Sequence, residues 1–254
     1  NTTTIPTTKP RPRSKDFLDL LIHCGDSTST TPNNKLSRTE IRDHLFTFLT
    51  TGHETTSACL QWTVYELCRN KEVQRRCQLE IDAVIASKSG GVSSNNGSNA
   101  SNNANSTSTT TNTNTNTNTN TTTSKLSSLS FDDINKLHYL VQVLKESMRL
   151  HSIKGNITRE CSAECNVGQY KLKAGTVVIV STVAAHLHPD FWDEPMLFKP
   201  ERFSRENIRN TVKHPYQYIP FSAGPRSCIG QKFALMEVLV VLGNLLMHFD
   251  FSLA

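Results

Sequence analysis

From Ser37 to Asn70 the apolar residues Ile41, Leu45, Phe48, Leu49, Leu60 and Val64 recur at helical spacing. That period predicts one helix of about 30 residues, roughly 45 Å long at 1.5 Å per residue. A rod of this length crosses a whole domain, so the rest of the chain has to be arranged around it. Ser37-Arg38-Thr39-Glu40 opens it as a capping box, with a Ser hydroxyl for one free N–H and a Glu carboxylate for another. Gly52 lies near the middle, weakens the helix there and invites a functional reason. Asn70 is expected to cap a second helix running through Val73, Cys77, Ile81 and Val84.

Residues 131–150 are predicted helical, with Leu140, Val143, Leu144, Ser147 and Met148 on one face. The period then changes. Residues 157–161, 168–172 and 176–180 read as short strands, with Gly168 and Gly175 marking turns. Pro189, Pro195 and Pro200 punctuate a loop-rich stretch up to about Pro220. Residues 229–247 are apolar almost all round, which predicts a fully buried helix. The expected class is mainly α with small β-sheets.

The chain has 254 residues, enough for one large domain or two small ones. Residues 93–124 contain only Ser, Thr, Asn, Gly and Ala. Such a segment cannot offset its ordering entropy and is expected to be a disordered insertion that adds no domain. Residues 1–36 are expected to be a polar tail with a short amphipathic segment at 17–22, and residues 37–254 one interrupted domain. The chain starts at Asn1 rather than Met, as expected of a piece of a longer protein. With 27 basic and 22 acidic residues the net charge is +5, and no basic run carries interleaved aromatics, so no nucleic-acid partner is expected. The 7 cysteines are an odd number without a CxxC pair, which points to a reducing compartment rather than a secreted disulfide framework. The densest apolar patches, 176–185 and 233–246, are interrupted by polar or small residues, so no membrane span is expected within the chain.

The chemistry concentrates at Phe221-Ser222-Ala223-Gly224-Pro225-Arg226-Ser227-Cys228-Ile229-Gly230. A Gly- and Pro-containing loop delivers Cys228 to the start of an apolar helix, where free N–H groups and the helix dipole favour a thiolate. Gly230 lets something flat approach the helix backbone, and Arg226 suits a carboxylate. On spacing alone, Cys228 is either a small buried apolar side chain or a ligand or nucleophile. Zinc is disfavoured, since no Cys or His lies two to four residues away.

The same ten residues resemble the haem-binding signature F-x-x-G-x-R-x-C-x-G of the cytochrome P450 monooxygenases without a mismatch. The resemblance implies that Cys228 is the axial thiolate of a haem b iron, its only metal ligand from this chain. It also implies that Phe221 packs near the sulfur, that Gly230 admits the porphyrin, and that Arg226 pairs a propionate. Arg159 stands where the family places a second propionate-binding Arg; by itself it reads equally as a strand-edge surface residue. Glu146-Ser147-Met148-Arg149 resembles the family's ExxR, and Pro200-Glu201-Arg202-Phe203 its PERF element. Alone, a Glu and an Arg three apart on a helix form an ordinary surface pair. The resemblance implies instead a buried network of Glu146, Arg149 and Arg202. His186-Leu187-His188-Pro189 and Trp192-Asp193-Glu194-Pro195 resemble two family loop motifs. Read as residues, His53, His151 and His186 are ordinary polar side chains rather than metal ligands.

Thr51-Gly52-His53-Glu54-Thr55-Thr56 resembles the family's oxygen-activation groove. By itself it is a Thr cluster on a solvated helix face. The resemblance makes Glu54 and Thr55 the proton-delivering pair. Thr55 is expected to bond the carbonyl one turn earlier and open a local bulge. The sequence departs from the family at Thr51, where Ala or Gly is usual, and at Ser152-Ile153, where Pro-Pro is common.

The resemblance covers nearly all of 37–254 outside the insertion and corresponds to the C-terminal half of the cytochrome P450 fold. It implies a parent enzyme that hydroxylates a small apolar organic substrate with O2 and two electrons. The electron donor would be an NADPH-dependent flavoprotein reductase. Lys213, His214 and Lys232 flank the Cys loop and read either as a basic docking patch for it or as a solvated face. The parent would sit on the cytosolic face of the endoplasmic reticulum membrane through an N-terminal anchor outside this chain. Two alternatives stay open at this point: a haem isomerase or dehydratase that uses no O2, and a non-catalytic fragment or interaction protein. The chain alone is expected to be inactive, and to aggregate or stay molten.

Overall fold

The computed structural model describes residues 16–22, 36–89 and 129–254. Of the expected tail at 1–36, residues 1–15 and 23–35 lie outside the described residues, as does the insertion at 93–124. The chain divides after Ala58 into two compact units.

The first unit holds α1 (Phe17–Ile22) and the beginning of α2 (Arg38–Arg69). The long helix matches its expected extent, and its capping box is formed. Ser37 N–H donates to the Glu40 carboxylate at 2.7 Å, and Glu40 N–H to the Ser37 hydroxyl at 3.2 Å. These bonds hold the Glu40 carboxyl below its usual range. The Phe17 ring meets Phe48 edge-on at 4.6 Å.

The second unit begins with the remainder of α2 and continues through α3 (Lys71–Ser89), α4 (Phe131–Ile134) and α5 (His138–Leu150). Four short strands follow, β1 (Asn156–Glu160), β2 (Cys165–Val167), β3 (Tyr170–Leu172) and β4 (Val177–Ser181). Then come α6 (Thr182–Leu187), a tight 3-10 turn at Pro200–Phe203, α7 (Ile208–Thr211), a second 3-10 turn at Gly224–Arg226 and α8 (Gln231–His248). The strands make two antiparallel pairs, β1 with β4 and β2 with β3. Leu67, Cys77, Ile81, Leu137, Leu140, Val143, Leu144 and Leu242 form the core centre. Each such side chain contributes about 1.5–3 kcal/mol on burial. Burial raises the Cys77 thiol to about 12, so it acts as an apolar filler.

Four expectations are corrected. Asn70 does not cap α3 with its side chain. Its amide turns back to the Glu66 carbonyl at 2.8 Å and the Glu66 carboxylate at 3.2 Å, closing the end of α2. The helix predicted over 131–150 is broken at 135–137, because Glu80 of α3 takes the N–H groups of Tyr139 and Leu140 at 2.7 and 3.0 Å and thereby starts a new helix. The strand predicted over 168–172 is half of a hairpin. Gly168, at φ 57°, is its turn and β2 lies before it. The helix expected to be buried all round buries one stripe only, Val238, Leu239, Leu242, Gly243 and Leu246. α3, α4 and α5 pack on that stripe, whereas Phe233 stays 64% exposed. α8 is also long and apolar enough to cross a membrane by length and composition, a property the expectation of no span overlooked.

Gly243 has a packing reason. A Cβ there would sit 2.7 Å from Leu129 Cδ1, so its absence allows the chain entering α4 to lie directly on α8.

Candidate functional site: the Cys228 loop and its support

The segment from Ile219 to α8 is shaped by its own backbone. Ser222 and Gly224 take left-handed φ values of 64° and 77°, which turn the chain sharply on either side of Ala223. Ser222 N–H donates to the Ile219 carbonyl at 3.0 Å, Ser227 N–H to Gly224 at 3.0 Å and Cys228 N–H to Phe221 at 2.9 Å. The last bond folds the loop back on itself. Phe221 and Cys228 therefore sit together, with the Phe221 ring packed on the core. Gly230 is the N-cap of α8, two residues after Cys228.

The Cys228 thiol is free and exposed. Ile229 beside it is 92% exposed, and Phe233 one turn on is also exposed. Cys228 Sγ would lie 3.9 Å from a Cβ on Gly230. Arg226 is exposed and has no hydrogen-bond or ion-pair partner among the described residues. The loop thus offers one soft sulfur at a helix start, exposed apolar side chains and an unpaired cation. Among the described residues no cluster of three or more His, Cys, Asp or Glu could hold a metal ion. A single cysteine sulfur with apolar surroundings and a nearby guanidinium fits the donor set of a haem, not that of zinc.

Glu146, Arg149 and Arg202 are brought together. Arg149 donates Nε and Nη2 to the two Glu146 oxygens, both at 2.8 Å. Its remaining donors reach the carbonyls of His186, Pro195 and Leu197 at 3.0, 2.7 and 3.2 Å. Arg202 Nε reaches Glu146 at 3.3 Å, and its Nη2 reaches the Glu194 carbonyl at 2.8 Å. Lys199 N–H completes the Glu146 shell at 2.9 Å. Glu146 and Arg149 are fully buried and Arg202 nearly so, yet the charges are paired and hydrogen-bonded.

His186, read from the sequence as an ordinary polar side chain, has a structural role the sequence did not show. It is fully buried. Its Nε2 accepts the Ile219 N–H at 2.9 Å, and its Nδ1 faces the Ser152 hydroxyl at 2.8 Å. Accepting at Nε2 places the proton of the neutral ring on Nδ1, which donates to Ser152. Burial, then the Arg149 charge, lower its pKa to about 4. His186 therefore joins the Arg149 cluster to the first residue of the Cys228 loop. The H-x-x-P context did mark the position, but only the fold shows what the ring touches.

The remaining candidates are placed as follows. Thr47, Thr51 and Thr55 each donate a hydroxyl to the carbonyl four residues earlier, all at 2.7 Å. The expected bulge is absent, and α2 runs unbroken through them, because each carbonyl accepts the hydroxyl alongside its helical N–H. Glu54 is exposed, and its carbonyl receives the Ser57 hydroxyl at 3.0 Å. Thr56, missed in the sequence, is 6% exposed with an Oγ1 that has no hydrogen-bond partner. Gly52 has open space where a Cβ would be. Arg159 is exposed on β1 and bonds the Thr158 carbonyl at 2.8 Å, so no contact joins it to Cys228 or Arg226. Lys213, His214 and Lys232 are all exposed.

Comparison with known proteins gives a consistent answer. The family model described as Cytochrome P450 matches residues 4–96 and 115–254. The unmatched gap falls inside the Ser/Thr/Asn tract. Cytochrome P450 4V2 of Mus musculus is 36% identical over 237 residues, 93% of this chain and 37% of that protein. Cytochrome P450 3A9 of Rattus norvegicus is 33% identical over 93% of this chain and 39% of its own length. Cytochrome P450 3A29 of Sus scrofa is 31% identical over 96% and 41%. The chain thus spans about two-fifths of the length of these relatives. With a mainly helical fold, a matching cysteine loop and this coverage, the chain belongs to the cytochrome P450 family.

Proposed function

We propose that the protein to which this chain belongs is a haem-thiolate monooxygenase that hydroxylates a small apolar organic substrate, using O2 and two electrons and releasing water. The observation that carries this reading is the free, exposed Cys228 thiol. It stands two residues before the N-cap of an 18-residue helix, beside the unpaired Arg226. Cys228 would hold the iron, Arg226 and Arg159 the propionates, Phe221 would pack near the sulfur and Gly230 would leave space for the ring. When bound, the haem supplies the reductive activation of oxygen.

The protein's own residues hold and move protons and exclude water. The loop presents the sulfur at the start of α8, with Phe221 packed beside it. Glu54, exposed on α2, exchanges protons with solvent, and Thr55 passes them on from the next position. The buried Glu146, Arg149 and Arg202 cluster fixes the loop from behind, so the sulfur is held without reorganisation. Electrons would come from an NADPH-dependent flavoprotein reductase at the exposed Lys213, His214 and Lys232, on the cytosolic face of the endoplasmic reticulum.

The test uses the full-length protein. Reduced under CO, it should give the red-shifted thiolate Soret band, and Cys228→Ser should abolish it. Thr55→Ala should keep the band but divert reducing equivalents from product to peroxide or water. Fully coupled hydroxylation in Thr55→Ala would remove the relay, and a missing band in the unmutated protein would remove the haem-thiolate reading altogether.

A further inference from the structure

Outside the Cys228 site, the structure sets two other thiols side by side. Cys161 follows the last residue of β1, and Cys165 is the first residue of β2. Both are free. Cys165 is exposed, and Cys161 is partly exposed. The Cys165 S–H donates to Cys161 Sγ at 3.7 Å. A disulfide needs about 2.05 Å between sulfurs, so closure requires an approach of roughly 1.7 Å. The two sulfurs already face one another across the short Ser162-Ala163-Glu164 link.

The two cysteines have different anchors. Cys161 N–H donates to the Thr176 carbonyl at 2.9 Å, and its carbonyl accepts Gly175 N–H at 2.7 Å. That fixes it to the β1 and β4 ladder. Cys165 pairs with Leu172 in the other ladder. A bond between the sulfurs would therefore staple the two small sheets together.

We propose that Cys161 and Cys165 form a reversible dithiol–disulfide site that takes a low-molecular-weight disulfide of the glutathione class as its oxidant. The exposed Cys165 thiolate attacks one sulfur of the oxidant, whose S–S bond breaks and releases one thiolate. Cys161, having given its proton to water, then attacks Cys165 Sγ and expels the second thiolate. Both released thiolates take up protons. The protein loses two electrons and two protons overall, and the small disulfide is reduced to two thiols. Desolvation, and then the hydrogen bond and charge of Cys165, hold the Cys161 thiol above its ordinary pKa. Cys165, the more exposed of the two thiols, is the first attacker. Once Cys165 is capped, its two contributions vanish and Cys161 ionises more readily for the second step.

The site is readable without activity. Trypsin places both cysteines in one peptide, residues 160–171. After the folded full-length protein is equilibrated in oxidising glutathione buffer and acid-quenched, that peptide should be lighter by about 2 Da and refuse alkylation. A reductant should restore two alkylatable thiols. Cys161→Ser should instead accumulate a stable glutathione adduct on Cys165, and Cys165→Ser should be modified more slowly at Cys161. Closure of the mixed disulfide should be at least about tenfold faster in the folded protein than in concentrated urea, because the fold holds the thiols together. Stable glutathione adducts on the unmutated pair, thiols that stay open at every redox poise, or equal closure rates folded and unfolded would each overturn the proposal.

Discussion

The imidazole of His186 accepts the Ile219 N–H at 2.9 Å, while the His186 carbonyl accepts Arg149 Nη1 at 3.0 Å. One residue of α6 thus couples a buried charge cluster to the first turn of the Cys228 loop. The ring can accept only while Nε2 is unprotonated. Its pKa is lowered from 6.5 to about 4, so between these values the unfolded chain binds the proton and the folded one does not. Stability is then full above about pH 6.5 and falls as the pH drops towards 4, by on the order of 3 kcal/mol from this group. Urea midpoints measured from pH 4 to 7 should show this slope in the unmutated protein and a shallower one in His186→Gln.

Glu146→Gln leaves two buried guanidiniums facing a neutral amide. The expected loss is about 3–5 kcal/mol, the cost of unpaired buried charge, seen as a lower denaturant midpoint and weaker retention of cofactor. Arg149→Lys alone should also destabilise the protein, since an ammonium cannot reach both Glu146 oxygens and three carbonyls from one plane. A Glu146→Gln protein of unchanged stability would mean that the cluster is solvated in solution.

Glu80 supplies from α3 what the start of α5 lacks. Glu80→Ala should free the N–H groups of Tyr139 and Leu140 and cost about 1–2 kcal/mol. Hydrogen exchange should speed up first at residues 138–141, ahead of the rest of α5.

Two glycines should respond with opposite signs. An Ala at Gly224 meets no atom within 4 Å but must adopt φ 77°, which costs about 1–2 kcal/mol of backbone strain. An Ala at Gly52 also meets nothing within 4 Å and sits in regular helix, where it should gain about 1 kcal/mol. If Gly52 leaves room for a ligand, Gly52→Ala should raise the thermal midpoint while raising KM for the substrate. A midpoint that rises with KM unchanged would assign Gly52 no part in the pocket.

Gly243→Ala drives a methyl against Leu129 Cδ1 at 2.7 Å. Overpacking of this kind costs about 1–3 kcal/mol. The double variant with Leu129→Ala should recover part of that loss, and a fully additive pair would show that the two sites do not touch.

Local chemistry alone was enough for much of this molecule. The reach of α2 followed from its period and from Ser37 and Glu40, because a helix with its own cap needs no distant partner to define its start. The Cys228 loop was legible because Gly, Pro, Arg and Cys constrain backbone and charge within ten residues of each other. Other outcomes depended on atoms far away in sequence. Asn70 turned towards Glu66 rather than α3, and Glu80 split the helix predicted over 131–150, because free N–H groups take whichever acceptor the packed chain brings near. Which face of α8 is buried was decided by the elements that reach it, since an evenly apolar helix carries no stripe to choose. The pairing of Cys161 with Cys165 and the capture of Ile219 by His186 likewise arose only on folding, when sheet and loop placed donor beside acceptor.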